Sequence, residues 1–486
     1  MKVNNVTKLA AVISAVFLST ATVLPSAVAA GAAAPVVSKA PIAGTTLFTN
    51  VNVFNGTENK LYKNLNVLVE GKIIKSISKT KPAVGSDVVL IDGEGRTLMP
   101  GMIDSHVHLA INSLFSDLEQ NSDHYDIAYR GVPILENTLE DGFTSVRDMG
   151  GPVFGMARAV NNGTLVGPRI YPSGAFLSQT SGHGDFRDRS DVAFTPKNAN
   201  DNSNFENLGF GAVVDGVPEA LRATRTNLRN GATQIKIMAG GGGSSKYDPL
   251  DVTQFSVEET CAIVETTKDW NTYVGAHIFT DRAINRSLDC GVKTFEHGFF
   301  ASKETYERMA KEGAYVVPQF WALSPALLEN PNMPADKLPL VKQLLKKYAD
   351  VGKVMLDAGV KIAFQSDYLG TVDDGSRARR YEIYASSQML GKGDYNGNFE
   401  TLKSLTSVPG EMLAMSGPRN PAPGKLGVIE VGATADILLI DGNPLEDIGV
   451  LNGGYTEWYS QPAPSETPIE TIDMVMKEGV IYRNDL

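Results

Sequence analysis

Histidine is scarce in this chain, six in 486 residues, yet His106 and His108 stand one residue apart in M-I-D-S-H-V-H-L. On an extended segment the side chains at i and i+2 leave the same face, so these two imidazoles point together. His277 closes T-Y-V-G-A-H, His297 closes V-K-T-F-E-H 20 positions later, and Asp367 closes V-K-I-A-F-Q-S-D. Imidazole nitrogen and carboxylate oxygen together suit a divalent cation, and taken jointly these residues point to metal binding. Lys236 lies inside T-Q-I-K-I-M, where a core strand has no use for a free ammonium. Desolvation lowers the basicity of such a lysine, and its neutral amine can add carbon dioxide to give a two-oxygen carbamate able to bridge two cations. The competing reading is a lysine salt-bridged to Asp367 or Glu296 in a metal-poor site. His124, in the polar run N-S-D-H-Y, reads as a surface residue.

These groups need a frame that brings them to one place. Eight short apolar segments read as strands: residues 102–108, 144–149, 169–173, 233–238, 272–277, 292–297, 314–319 and 360–367. Helical stretches lie between them. One is 218–231, with proline at its start and glycine at its stop; another is 303–313, again ended by glycine. Strands alternating with helices predict an α/β fold, a (β/α)8 TIM barrel in preference to a doubly wound open sheet. In a barrel the carboxyl ends of all strands share one mouth, where active sites sit, and the candidate ligands fall at those ends. Flanking this region, 66–74 and 475–482 each read as two apolar-rich strands around a Glu-Gly turn, and 427–441 is a third β-rich piece. The expectation is a small β-sandwich assembled from both chain ends, 45–98 and 424–486, with the barrel occupying 99–423.

Composition is that of a folded globular protein, 42% hydrophobic and 20% charged, and a net charge of -11 excludes a general nucleic-acid binder. Lys2 and Lys8 precede an apolar run at 9–24, and S-A-V-A-A follows at 26–30. This predicts a secretory signal peptide over 1–30, a disordered leader over 31–44, and a periplasmic or secreted protein. No second apolar stretch is long enough to span a bilayer. Cys261 and Cys290, the only cysteines, are expected as two buried thiols, since a chain this long does not need staples.

The residues also carry a resemblance. H-V-H after the first strand, the lysine in I-K-I-M, single histidines closing strands five and six, and the strand-eight aspartate resemble the amidohydrolase superfamily. More narrowly, P-G-M-I-D-S-H-V-H, S-G-H-G at 181–184, F-E-H-G and G-A-T-A-D-I-L-L-I-D-G-N-P-L-E-D-I resemble its imidazolonepropionase-like hydrolases. That branch includes bacterial Xaa-Pro dipeptidases and the fungal ochratoxin-hydrolysing amidase. The resemblance implies a barrel with a composite β-sandwich and two divalent cations, zinc by first choice. By this likeness His106, His108 and Asp367 hold one cation, His277 and His297 the other, and Lys236, N6-carboxylated, is shared. His183 falls where relatives keep a histidine that faces substrate. The implied chemistry is hydrolysis of the amide bond of small dipeptides or N-acyl amino acids by a metal-bridging hydroxide, with Asp367 carrying a proton to the leaving amine. The resemblance also allows a homo-oligomer.

Two departures bear on substrate. Strand five reads A-H-I-F-T and strand eight Q-S-D-Y, so Phe279 and Tyr368 are expected at the mouth, with Tyr247 as a further contact, Phe320 crowding the rim and apolar dipeptides preferred. The glycine run 240–243 lacks the phosphate-loop order and reads as a mobile or closely packed loop. S-R-A-R-R at 376–380 is either a clamp for a substrate carboxylate or a solvated helix face. The same centre is competent for a lactone, a cyclic amide or a phosphotriester. An exported solute-binding protein is the alternative from another class, and it leaves the ligand array without a purpose.

Overall fold

The computed structural model describes residues 41–189, 202–243, 245, 247–329, 338–459, 461–462 and 464–486. The expected signal peptide and most of the leader lie outside the described residues. Ile42, at the leader's end, is paired with Ile481 through both backbone hydrogen bonds. No helix among the described residues is long and apolar enough to cross a membrane.

The fold is α/β. All eight strand positions read from the sequence carry parallel strands, from Met102–Val107 and Phe143–Asp148 to Tyr315–Val317 and the short Lys361–Ile362. The third is broken: Arg169–Pro172 pairs with Phe143–Asp148, and Phe176–Ser178 pairs onward with Ile235–Met238. An additional strand, Gly211–Val213, lies beside Phe176–Ser178. The break divides the parallel strands into a ladder of three and a ladder of seven. Thr233 N–H bridges the break by donating to Pro172 O at 2.8 Å. At the other end, Ser105 N–H donates to Phe364 O, Asp367 N–H donates to His106 O, and Val107 bridges Tyr368, so the eighth strand lies against the first.

Alternation along the strands separates core from site. Ile235, Ile237, Val274, Ala276 and Phe295 pack outward on Leu228, Ile263, Ile284 and Met309 of the surrounding helices. Their neighbours Lys236, Gly275, His277 and Glu296 consequently face inward. The helices start and stop where local chemistry dictates. Val217–Asn230 has proline in its first turn and ends on left-handed Gly231, and Val257–Asp269 carries a capping box between Ser256 and Glu259.

Both chain ends meet in one sheet. Its order runs Val480–Asn484, Ile472–Lys477, Ile437–Ile440, Thr97–Pro100, Thr46–Val53, Tyr62–Glu70, Ile73–Ser78, with Val89–Asp92 also paired to Thr46–Val53. The strands form one continuous ladder, where the sequence reading expected a sandwich. The sheet curls enough for Ile73 to bridge Thr434 and for Phe48, Val67, Ile437 and Met474 to share a buried cluster. Its other face, with Met99, Leu438 and Ile472, packs on Phe143, Leu402 and Leu405.

The cysteines correct an expectation. Cys261 and Cys290 form a disulfide, with Cα atoms 4.7 Å apart. They sit on Val257–Asp269 and Asp281–Cys290, adjacent helices on either side of the strand that bears His277. Chain length argued against a staple. Neighbouring helices of successive βα units nevertheless bring their faces together, and sequence spacing does not show that approach.

Candidate metal centre

Six side chains chosen from the sequence converge. His106 and His108 project from the first strand with their Nε2 atoms 3.2 Å apart, and Asp367 Oδ1 lies 3.5 and 3.7 Å from those two atoms. These three are the one His/Cys/Asp/Glu cluster among the described residues with ligand atoms all within 4.8 Å of one another. The ladder register sets Met238 beside His277 and Ile278 beside His297. The His277 and His297 rings are 4.7 Å apart, and His297 is 5.4 Å from His106. Strict alternation would send His297 outward after inward Glu296, but its backbone is left-handed, φ 66°, and this turns the ring into the site. Asp367 is left-handed as well, φ 49°. Such backbone is costly for residues other than glycine and concentrates where function demands a particular aim.

Burial sets the protonation of the cluster. It holds His108 down to about 4 and His183 to about 3, and holds His106, His277 and His297 well below the ordinary imidazole value. All five are therefore neutral near pH 7, the form that donates a lone pair to a cation. Burial also lowers Lys236 to about 8, against the pull of Glu296 and Asp367, and raises Asp367 to about 7. Lys236 is 1% exposed, and its ammonium feels the Glu296 and Asp367 carboxylates through space with no ion pair to either among the described residues. The alternative of a lysine salt-bridged to Asp367 or Glu296 is therefore not what is seen.

Supporting contacts orient these groups. Glu296, fully buried, accepts from His106 Nδ1 at 3.1 Å and from Arg147 Nη2 at 2.8 and 2.9 Å. Gly150 O lies 3.0 Å from His108 Nδ1, and Gly241 O lies 3.1 Å from His277 Nε2. Asp104 accepts the backbone N–H groups of His106 and Ser366, tying the first strand to the eighth. His183 lies against His277, ring centroids 4.0 Å apart, with Nδ1 2.8 Å from Ser245 Oγ and 3.7 Å from Asp248. The glycine run is a close-approach device: a Cβ on Gly242 would collide with the His183 ring, and one on Gly241 with the Pro249 carbonyl.

A cavity of about 70 Å³ opens onto this cluster, lined on its apolar side by Phe115, Phe176, Phe186, Phe279 and Phe299. A wider groove of about 850 Å³ runs past Asn52, Arg96 and Asn443 on the terminal sheet, but it holds no ligand cluster, so size alone does not mark the site. Of the expected substrate contacts, Phe279 lines the cavity. Tyr368 does not: it is 1% exposed and its hydroxyl donates to Gly370 O and Thr371 O. Phe320 is likewise buried in the core. Tyr247 stands on the surface, stacked under the Arg189 guanidinium at 5.2 Å. The 376–380 cluster is neither clamp nor solvated face, because Arg379 and Arg380 are buried and share Asp141, and Arg377 donates to Tyr455 and Trp458. His124 is an exposed residue at a helix start. Arg147 and the phenylalanines 115, 176 and 186 were not singled out from sequence. Opposite charges inside two apolar strand segments, Arg147 and Glu296, were the available signal.

The profile of the Amidohydrolase family matches residues 97–481. Ochratoxinase from Aspergillus niger is 30% identical over 359 residues, covering 73% of this chain and 72% of that protein. The crystal structure of a prolidase complexed with N-methylphosphonate-L-proline superposes with a TM-score of 0.76 at 36% identity, covering 90% of this chain and 100% of that one. A Xaa-Pro dipeptidase with methionine bound in its active site superposes with a TM-score of 0.73 at 26% identity, covering 91% and 100%.

Proposed function

The chain belongs to the amidohydrolase family and is a hydrolase of amide bonds, and from that premise we propose that it cleaves small dipeptides or N-acyl amino acids at a two-metal centre. The observation that carries this reading is the convergence of five neutral imidazoles and a carboxylate on one cavity, with Lys236 buried near enough to feel Glu296 and Asp367. These residues fit divalent cations. His106, His108 and Asp367 would hold one, His277 and His297 the other, and Lys236, carboxylated on Nζ, would serve both. A nitrogen-rich donor set with carboxylates suits zinc. Lys236, lowered to about 8, is partly neutral near pH 7 and so open to carboxylation. We read the two parallel ladders as one (β/α)8 barrel over residues 99–423, supported by the contacts of the eighth strand with the first.

When bound, the cations supply an acidified water and polarise the scissile carbonyl. The protein's own groups supply the rest. Asp367 accepts the proton of the attacking water and passes it to the departing amine nitrogen. Ser245 donates its hydroxyl to His183 Nδ1, which fixes the neutral ring as the Nε2–H tautomer and leaves that N–H to donate to the carbonyl oxygen. The phenylalanine wall excludes water and favours apolar side chains. We also place the protein outside the cytoplasm, a reading supported by its disulfide and by its amino-terminal sequence. The ochratoxinase and Xaa-Pro dipeptidase relatives support the choice of amide substrate.

The test is a panel of N-acetyl amino acids, X-Pro, X-Arg and aromatic dipeptides, assayed after zinc or manganese reconstitution. Turnover of apolar members that is lost on chelation is the expected result. A silent amide panel with turnover of a lactone or phosphotriester would overturn the substrate class. Metal-independent turnover would overturn the centre.

A further inference from the structure

Gln319 follows the seventh strand in V-V-P-Q-F-W and is 3% exposed. It lines the cavity together with Asp367, His106 and His297. Its Nε2 makes no hydrogen bond of ordinary length and geometry among the described residues, although the side chain stands close enough to Asp367 to lower that carboxyl against the rise that burial gives it. Buried amide donors are nearly always paired, so an unpaired one aimed into a site needs a reason.

The surroundings argue against a misplaced side chain. The backbone N–H groups of the next two residues, Phe320 and Trp321, donate to the Glu382 carboxylate at 2.8 and 2.7 Å. Glu382 is itself fully buried and also accepts from Ser386 Oγ. A buried carboxylate is thus committed to holding the turn that presents Gln319. The other glutamine nearby behaves differently: Gln365 Nε2 donates to Val317 O and lies 3.4 Å from His297 Nδ1, so its amide serves the frame. Residue type matters too. A lysine or arginine at 319 would pair with Asp367 and quench its proton transfer, whereas a carboxamide offers an N–H without a charge.

We propose that Gln319 is a substrate-binding residue whose Nε2–H donates to the carbonyl oxygen of the bond being cleaved. This rests on the amide-hydrolase reading of the same cavity. The ligand class it selects is a carbonyl compound whose oxygen points toward the seventh strand.

The experiment uses the full chain reconstituted with zinc and two non-hydrolysable ligands. One is 2-benzyl-4-oxopentanoate, which keeps the carbonyl of N-acetyl-L-phenylalanine and replaces the amide N–H by CH2. The other is 2-benzylpentanoate, which lacks the oxygen. Both are titrated calorimetrically into wild type, Gln319→Met and Gln319→Leu, with zinc content measured alongside. The expected result is a wild-type preference for the ketone that drops about tenfold in both variants, with binding of the deoxy ligand and zinc content unchanged. Turnover of the best amide substrate should fall about 100- to 1,000-fold in kcat. An unchanged ketone preference, or equal weakening of both ligands, would overturn the assignment. If wild type hydrolyses no amide yet its ketone preference depends on Gln319, the carbonyl contact stands and the hydrolysis reading falls.

Discussion

Glu296→Gln isolates the group that aims His106, the first of the proposed ligands. The carboxylate receives four hydrogen bonds: one from His106, two from Arg147 and one from Thr294 Oγ1 at 2.6 Å. By accepting from His106 Nδ1 it leaves Nε2 as the lone-pair atom facing His108 and Asp367. A carboxamide has one accepting oxygen and turns its NH2 toward groups that are themselves donors. Loss of such an orienting partner typically weakens metal binding 10- to 100-fold, which is about 1.4–2.7 kcal/mol. The fold suffers separately, because Arg147 keeps its charge in a fully buried position, and breaking a buried pair from one side costs about 3–5 kcal/mol. Chelator competition gives the zinc affinity and urea unfolding gives the stability. Arg147→Met combined with Glu296→Gln removes both charges, so stability should largely recover while zinc affinity stays low. Zinc affinity within twofold of wild type in Glu296→Gln would refute this reasoning, as would its recovery in the double variant.

Three further outcomes are expected. Replacing Cys261 and Cys290 by serine opens a loop with a sequence separation of 29, and urea unfolding should show a loss of about 3–4 kcal/mol; an unchanged midpoint would deny the staple its role. Burial, then Arg169, lowers Lys477 from 10.5 to about 8, so between those two pH values the unfolded chain binds more protons and wild-type stability rises with pH. Relative to Lys477→Met the gain should reach about 3 kcal/mol by pH 10.5, and parallel stability–pH curves for the two proteins would contradict it. Gly242→Ala should displace His183 and cut turnover while zinc content measured by elemental analysis stays at the wild-type value; full activity would show that the ring does not pack as described.

The candidate ligands were legible as a cluster because a strand end is a place where alternation and chemistry can be read together. His106, His108, His277, His297 and Asp367 each close an apolar run, and a histidine or aspartate there has no packing purpose. Lys236 was legible for the opposite reason, as a charge in the middle of such a run. Side-chain direction was less legible. Tyr368 follows Asp367 directly, but the left-handed turn at Asp367 aims the aromatic ring under the site, and φ is not written in residue type. Arg379 and Arg380 looked like surface charge because their partner, Asp141, is more than 200 positions away. The disulfide and the broken third strand depend in the same way on contacts between segments distant in sequence, and local pattern carries no record of them.

The sheet built from both ends also governs when the molecule can become compact. A ribosome delivers Thr46–Val53 long before Val480–Asn484, yet both belong to one ladder, and Ile42 waits for Ile481. Everything between them must be made before that ladder can finish, and closing so long a loop is an entropic search that slows assembly. The terminal sheet therefore locks only after the strands on both sides of the intervening parallel ladders are present.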